Sequence, residues 1–177
     1  MKTDLPKRKV IRLENYDYRR NGCYFITICA SNKAHLFGEI VSNTMVNSQI
    51  GAVAFDELKL IEKHHENTKV LNSVIMPNHI HIILSIEKTT VSPGESEYNS
   101  FSKALRGSVS TIVGSYKSAV SKAVHMVENS VTARSDPTKV WQTRFYEHVI
   151  RNDDDYFRIW QYIDENPQKW NGDCYFK

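Results

Sequence analysis

Cysteine is scarce in this chain. Cys23, Cys29 and Cys174 are the three among 177 positions; they show no Cys-x-x-Cys spacing and cannot all pair. A disulfide scaffold and a cysteine-based zinc site therefore lack the residues they need. Glycine and proline are also few, at 7 and 5, which excludes a collagen-like chain. No uninterrupted apolar run is long enough to span a bilayer, so no membrane partner is expected. The basic stretch Met1–Arg12 lacks the apolar segment of a secretory signal, and a reduced, cytoplasmic protein is the expectation. Internal repeats and low-complexity tracts are absent. What remains is an ordinary globular composition, 41% apolar and 24% charged, suited to a single domain over 1–177.

A net charge of +3 hides two basic zones. Residues 1–20 carry Lys2, Lys7, Arg8, Lys9, Arg12, Arg19 and Arg20 against three acidic residues. Residues 101–139 carry Lys103, Arg106, Lys117, Lys122, Arg134 and Lys139 against Glu128 and Asp136. Such zones can contact phosphates, although solvated surface is the competing reading.

Periodicity divides the chain. Tyr24–Ala30 reads as a buried strand, with short strands at Leu36–Val41 and near Met45 expected to join it in a meander. Ile50, Val53, Ala54, Leu58 and Ile61 recur at three- and four-residue steps and predict a helix over Gln49–His64. Val70–Met76, the Pro77-Asn78 turn and His79–Ile86 predict a hairpin. A long helix is expected from Phe101 to Val127, and Trp141–Ile150 reads as extended. Asn152 suits the N-cap of a last helix over 153–166, whose first turn, Asp153-Asp154-Asp155, complements the helix dipole. Pro167 ends it. A basic segment at 1–21 and polar, flexible loops at 87–100 and 128–139 complete the organisation. This order predicts an α+β fold, an antiparallel sheet with helices packed on one face.

His79-Ile80-His81 lies within the second hairpin strand. Residues i and i+2 of a strand share a face, so both imidazoles project together while Ile80 and Ile82 enter the opposite layer. Two neutral imidazoles side by side make half of a divalent metal site; a half-buried strand that happens to carry two histidines is the alternative. On the last helix, Tyr162 and Asn166 are four apart and share a face. The Asn166 carboxamide can complete a metal shell, with the Glu165 carboxylate as the fallback oxygen. The Tyr162 hydroxyl can attack a phosphorus, provided a nearby cation favours the phenolate. Tyr116 lies in the apolar stripe of its own helix and reads as core.

Several segments then occur in one order: Tyr16-Asp-Tyr18, Leu36-Phe-Gly-Glu-Ile40, Met76-Pro-Asn-His-Ile-His81, Ser115-Tyr-Lys-Ser-Ala119, Trp141-Gln142, Phe145-Tyr-Glu-His-Val-Ile-Arg-Asn152 and Tyr162-Ile-x-x-Asn-Pro167. Together they resemble the REP-associated tyrosine transposases, within the HUH single-tyrosine transposase superfamily of insertion sequences, over roughly Val10 to Trp170. The resemblance implies a ferredoxin-like core and a bacterial, nucleoid-associated protein acting as a monomer or homodimer. It also implies metal-dependent nicking and strand transfer of single-stranded DNA with hairpins, such as repetitive extragenic palindromes. That chemistry proceeds through a 5′-phosphotyrosine, with Mg²⁺ or Mn²⁺ as cofactor. Carried over by position, His79, His81 and Asn166 are metal ligands and Tyr162 is the nucleophile. The tyrosine follows the histidine pair, whereas relaxases place it before. A domesticated palindrome-binding protein without strand transfer is the alternative function. A two-motif phosphodiesterase lacks its second histidine triplet.

Further DNA contacts are expected from Tyr18, Arg19 and Arg20, which combine an aromatic ring with cations. Lys117, His148 and Arg151 are further candidates, each with a structural role as the competing reading.

Overall fold

The computed structural model describes residues 21–87, 107–131 and 138–176. Strand β1 (Gly22–Cys29) lies between two partners and is buried on both faces along most of its length, which explains its nearly continuous apolar run. On one side it pairs with β5 (His79–Ile86), and on the other with β6 (Tyr146–Ile150). Strand β4 (Thr68–Met76) closes the hairpin with β5. The four-stranded sheet has the order β4-β5-β1-β6, and every neighbouring pair is antiparallel. Helix α1 (Gln49–His64) carries the chain from β1 to β4, and α2 (Val109–Val131) carries it from β5 to β6. This βαββαβ order is the ferredoxin-like arrangement, and the α+β class expected from the sequence is the one observed.

Alternation along the strands separates two layers. Tyr24, Ile26 and Ile28 of β1 join Ile80, Ile82, Leu84 and Ile86 of β5 in one core, closed by Ala54, Leu58 and Ile61 of α1 and by Ile112, Val113, Tyr116 and Val120 of α2. Tyr116 is a core residue as expected; its hydroxyl donates to the Ala54 carbonyl at 3.0 Å. Phe25 and Ile83 face the other way and meet Ile159 and Ile163 of α3 (Asp153–Glu165). Two helices thus share one face and the third crosses the other. That third helix is the one that carries Tyr162, so it lies on the side to which the histidines project.

The small strands differ from expectation. β2 (Gly38–Val41) and β3 (Thr44–Asn47) form a separate two-stranded ribbon and do not extend a meander from β1. Both edges of β1 are already taken by β5 and β6. Ser42 and Asn43 make the two-residue turn, with φ of 49° and 63°, as a twist-compatible hairpin loop requires. The ribbon leads directly into α1, where the Ser48 hydroxyl accepts the Gly51 N–H at 3.0 Å and donates to the Leu36 carbonyl at 2.6 Å.

The long helix also departs from the sequence reading: it begins at Val109, after a turn at Gly107 and Ser108, while 101–106 of the expected helix lie outside the described residues. Gly107 has φ +76°, and the Ser108 hydroxyl accepts the Thr111 N–H at 3.3 Å, so the helical path opens after Ser108. Its end runs to Val131, into the segment read as a loop. Tyr18, Arg19, Arg20 and most of the expected loop at 87–100 lie outside the described residues, as does 132–137 within the second loop. Among the described residues, no helix is long and apolar enough to cross a membrane.

Candidate active site

Pairing of β1 with β5 sets Thr27 opposite His81 and Cys29 opposite His79. Both imidazoles are buried, at 0% and 1% exposure, on the α3 side of the sheet. Their Nε2 atoms approach to 3.0 Å. Such closeness suits two lone pairs converging on one cation, or one proton shared between them.

Asn78 orients the first ring. Its Nδ2 donates to the Lys33 carbonyl at 3.3 Å and to the Tyr175 carbonyl at 2.9 Å. Those two acceptors fix which end of the carboxamide is nitrogen, so Oδ1 faces His79 Nδ1 at 2.9 Å as an acceptor. The proton of His79 therefore sits on Nδ1, and Nε2 presents its lone pair. Thr27 Oγ1 lies 2.9 Å from His81 Nδ1. A hydroxyl both donates and accepts, so Thr27 supports either tautomer of His81. Burial holds His79 down at about 4, with the Asp173 carboxylate opposing and the Lys33 ammonium assisting. His81 is held well below the usual imidazole range by burial and by His79. Both rings are neutral at pH 7, the form that ligates a metal.

Helix α3 delivers the phenol. Its N-terminus is capped by Asn152, whose side chain accepts the Asp155 N–H at 2.8 Å, and the helix ends at Glu165 with Asn166 as its C-cap. Ile159 and Ile163 bury its inner stripe and turn Tyr162 toward the histidines. The Tyr162 hydroxyl lies 3.2 Å from His81 Nε2 and 3.4 Å from Asp173 Oδ2. Burial and the Asp173 charge raise its pKa, while a hydrogen bond from Asn166 acts in the opposite direction. The residue is still 38% exposed, so the side chain is not sealed from solvent.

The third donor was not identified in the sequence reading. One ligand atom each from His79, His81 and Asp173 lie within 4.8 Å of one another, a group able to hold a metal ion. Asp173 follows the short turn Trp170–Gly172, and its Oδ1 accepts the Tyr175 N–H at 2.6 Å. Tyr175 then lays its ring 4.4 Å from His79, centroid to centroid. The available signal in the sequence is an acidic residue beyond the Pro167 break, and Asn78 signals only a turn there.

Asn166 and Glu165 part company. Asn166 is 2% exposed, and its buried Oδ1 has no hydrogen-bond partner among the described residues. An orphaned carbonyl oxygen beside the phenol fits a hard cation. Glu165 instead pairs with Lys169 and accepts from Gln161 at 2.7 Å on the outer face of α3; the structure does not bring it into the group.

The remaining candidates are spread around this centre. His148 Nε2 lies 2.7 Å from Asp155 Oδ2, tying β6 to the first turn of α3. Arg151 is exposed at the junction of those elements. The half-buried Lys117 ammonium donates to the Gln142 and Thr143 carbonyls at 2.5 and 3.2 Å.

No protein-family model matches the chain. It is 32% identical over 171 residues to a protein of Haemophilus influenzae named only "Uncharacterized protein", covering 94% of this chain and 91% of that one. The two belong to one family. A solved structure titled as a REP-associated tyrosine transposase bound to a REP hairpin superposes with a TM-score of 0.57 at 19% identity, over 90% of this chain and 74% of that one. This chain has the fold of a REP-associated tyrosine transposase. A second solved structure, a putative transposase of Deinococcus radiodurans, gives a TM-score of 0.47 at 13% identity, over 86% of this chain and 95% of that one.

Proposed function

We propose that the chain is a single-tyrosine transposase that nicks and rejoins single-stranded DNA bearing hairpins, with Tyr162 as nucleophile. The observation that carries this reading is the approach of the Tyr162 hydroxyl to His81 Nε2 and Asp173 Oδ2, at 3.2 and 3.4 Å. The neighbour solved with a REP hairpin supports DNA of that class as the substrate.

His79 and His81 would hold Mg²⁺ or Mn²⁺ with the Asp173 carboxylate, and the Asn166 Oδ1 is a further oxygen donor. Such an ion supplies Lewis-acid polarisation of a phosphoryl oxygen and the positive charge that favours a phenolate. The residues do the rest. Asp173 Oδ2 faces the phenol and accepts its proton. The Tyr162 oxygen bonds to phosphorus as the bond from phosphorus to the 3′-oxygen breaks, and the departing 3′-oxygen takes a proton from solvent. A 5′-phosphotyrosine conserves the energy of the broken linkage, so a second 3′-hydroxyl can reverse the step and rejoin strands. Burial of both histidines keeps them rigid and neutral while DNA enters over the exposed side of Tyr162.

The test is a denaturing gel of the protein incubated with single-stranded hairpin DNA and Mn²⁺. A protein–DNA adduct that survives denaturation is expected with the wild type. Specific binding with no adduct under any divalent cation would instead favour a palindrome-binding protein.

A further inference from the structure

Among the described residues, four that are not glycine have positive φ: Asn32, Lys33, Ser42 and Asn43. The last two form the hairpin turn between β2 and β3, where that geometry is required. Asn32 and Lys33, both at φ 55°, connect no hairpin. Asparagine tolerates the left-handed region; lysine gains nothing there from its side chain. A strained backbone held in place by its surroundings is common at ligand-binding positions.

The surroundings do hold it. The turn Ser31–Lys33 follows β1 directly, and the Ala30 N–H donates to the Asn78 carbonyl at 2.8 Å. The Ser31 N–H donates to the Val140 carbonyl at 2.9 Å. The Lys33 carbonyl is one of the two that fix Asn78, the residue that orients His79. The strained peptide is therefore built into the same network as the metal-ligating ring.

Its side chain ends beside the site. The Lys33 ammonium stands 5.6 Å from the centre of the Tyr175 ring, which itself stacks on His79. Lys33 is partly buried, and among the described residues no carboxylate lies within ion-pairing distance of its ammonium. A contact with an aromatic face is weak, and the ammonium can leave it for a stronger partner. Among the described residues, an anion is the partner that this partly buried ammonium lacks.

We infer that Lys33 binds a non-bridging phosphate oxygen of the single-stranded DNA at or next to the linkage that Tyr162 attacks. This rests on the strand-transfer reading and deepens it by naming a residue that grips the backbone at the reacting end of the site. The left-handed turn is then the device that aims a cation across the C-terminal segment toward the histidines.

The experiment measures binding of a labelled single-stranded hairpin oligonucleotide, in chelator, as a function of salt. A contact between one lysine and one phosphate of a single strand contributes about 0.7 to the slope of log affinity against log salt. Lys33→Met and Lys33→Gly should each lower that slope by about this amount. Glycine fits φ 55°, so Lys33→Gly should hold or raise the denaturation midpoint and separate lost contact from lost fold. Lys63→Met, at the end of α1 on the opposite face of the sheet, should leave the slope unchanged. An unaltered slope in both Lys33 variants overturns the inference, and so does an equal fall in the Lys63 variant. The Mn²⁺-dependent adduct of the wild type is scored separately; its absence defeats the strand-transfer reading without altering the slopes.

Discussion

The Tyr162 hydroxyl and His81 Nε2 stand 3.2 Å apart although 81 positions separate them in the chain. One element comes from the centre of the sheet and the other from the last helix. Their meeting depends on α3 crossing the face opposite to α1 and α2. Tyr162→Phe removes only the oxygen, and the ring keeps its edge contact with Phe25 at 6.1 Å between centroids. The variant should fold and bind hairpin DNA within about twofold of the wild type, since one exposed hydroxyl contributes little to binding. It should form no covalent adduct on a denaturing gel. An adduct that persists at wild-type yield places the nucleophile elsewhere.

Asn78 joins three parts of the site, so its loss should be felt twice. Asn78→Ala strips partners from the Lys33 and Tyr175 carbonyls and from His79 Nδ1. Unsatisfied buried groups of this kind cost about 1–3 kcal/mol each where water cannot replace the partner, and denaturant unfolding should show a loss in that range. Metal affinity should fall roughly 10–100-fold, because His79 loses the bond that sets its tautomer. Thr27→Val, which keeps the shape of the side chain, should reproduce the affinity loss through His81 with a smaller loss of stability. Calorimetric titration with Mn²⁺ separates the two effects.

Much of this fold is legible in the sequence, and the exceptions share a cause. The helix over Gln49–His64, the strand His79–Ile86 and the Asn152 cap follow from local periodicity and from one side chain bonding its own backbone. Isolation of the β2–β3 ribbon depends on which strands occupy the edges of β1, a long-range fact with no local trace. The face chosen by α3 is likewise set by the whole sheet. The same division runs through the site. His79, His81 and Tyr162 stand out as candidates by residue type and spacing. Asp173 does not, because its position depends on the turn at Trp170–Gly172 folding back over β5.

Asp173 and Glu165 are the two carboxylates in contention, and substitution discriminates between them. Asp173→Asn removes a negative charge from the group that includes His79 and His81. Mn²⁺ affinity should fall at least roughly tenfold, since ligand charge governs binding of hard cations. Glu165→Gln breaks only an outward-facing pair with Lys169. Its effect on Mn²⁺ affinity should stay within about twofold, as surface pairs contribute little beyond their own site. The reverse ranking in the titration would assign the ligand to α3.

Stability in acid should report the link between β6 and α3. His148 and Arg158 both reach the Asp155 carboxylate, and the hydrogen bond from His148 is the main cause that lowers its pKa. A depressed carboxyl pKa stabilises the fold above the unfolded value, near 3.9 for aspartate, and that contribution disappears as pH falls through the folded value. Asp155→Asn should therefore be less stable than the wild type at about pH 5, above both values. The gap should narrow steadily below about pH 4, because the wild type then takes up the proton whose charge the variant already lacks. Denaturant midpoints measured across this range check the sign. A gap that stays constant down to about pH 2 would mean that Asp155 acts through shape and hydrogen bonding, with its charge contributing nothing.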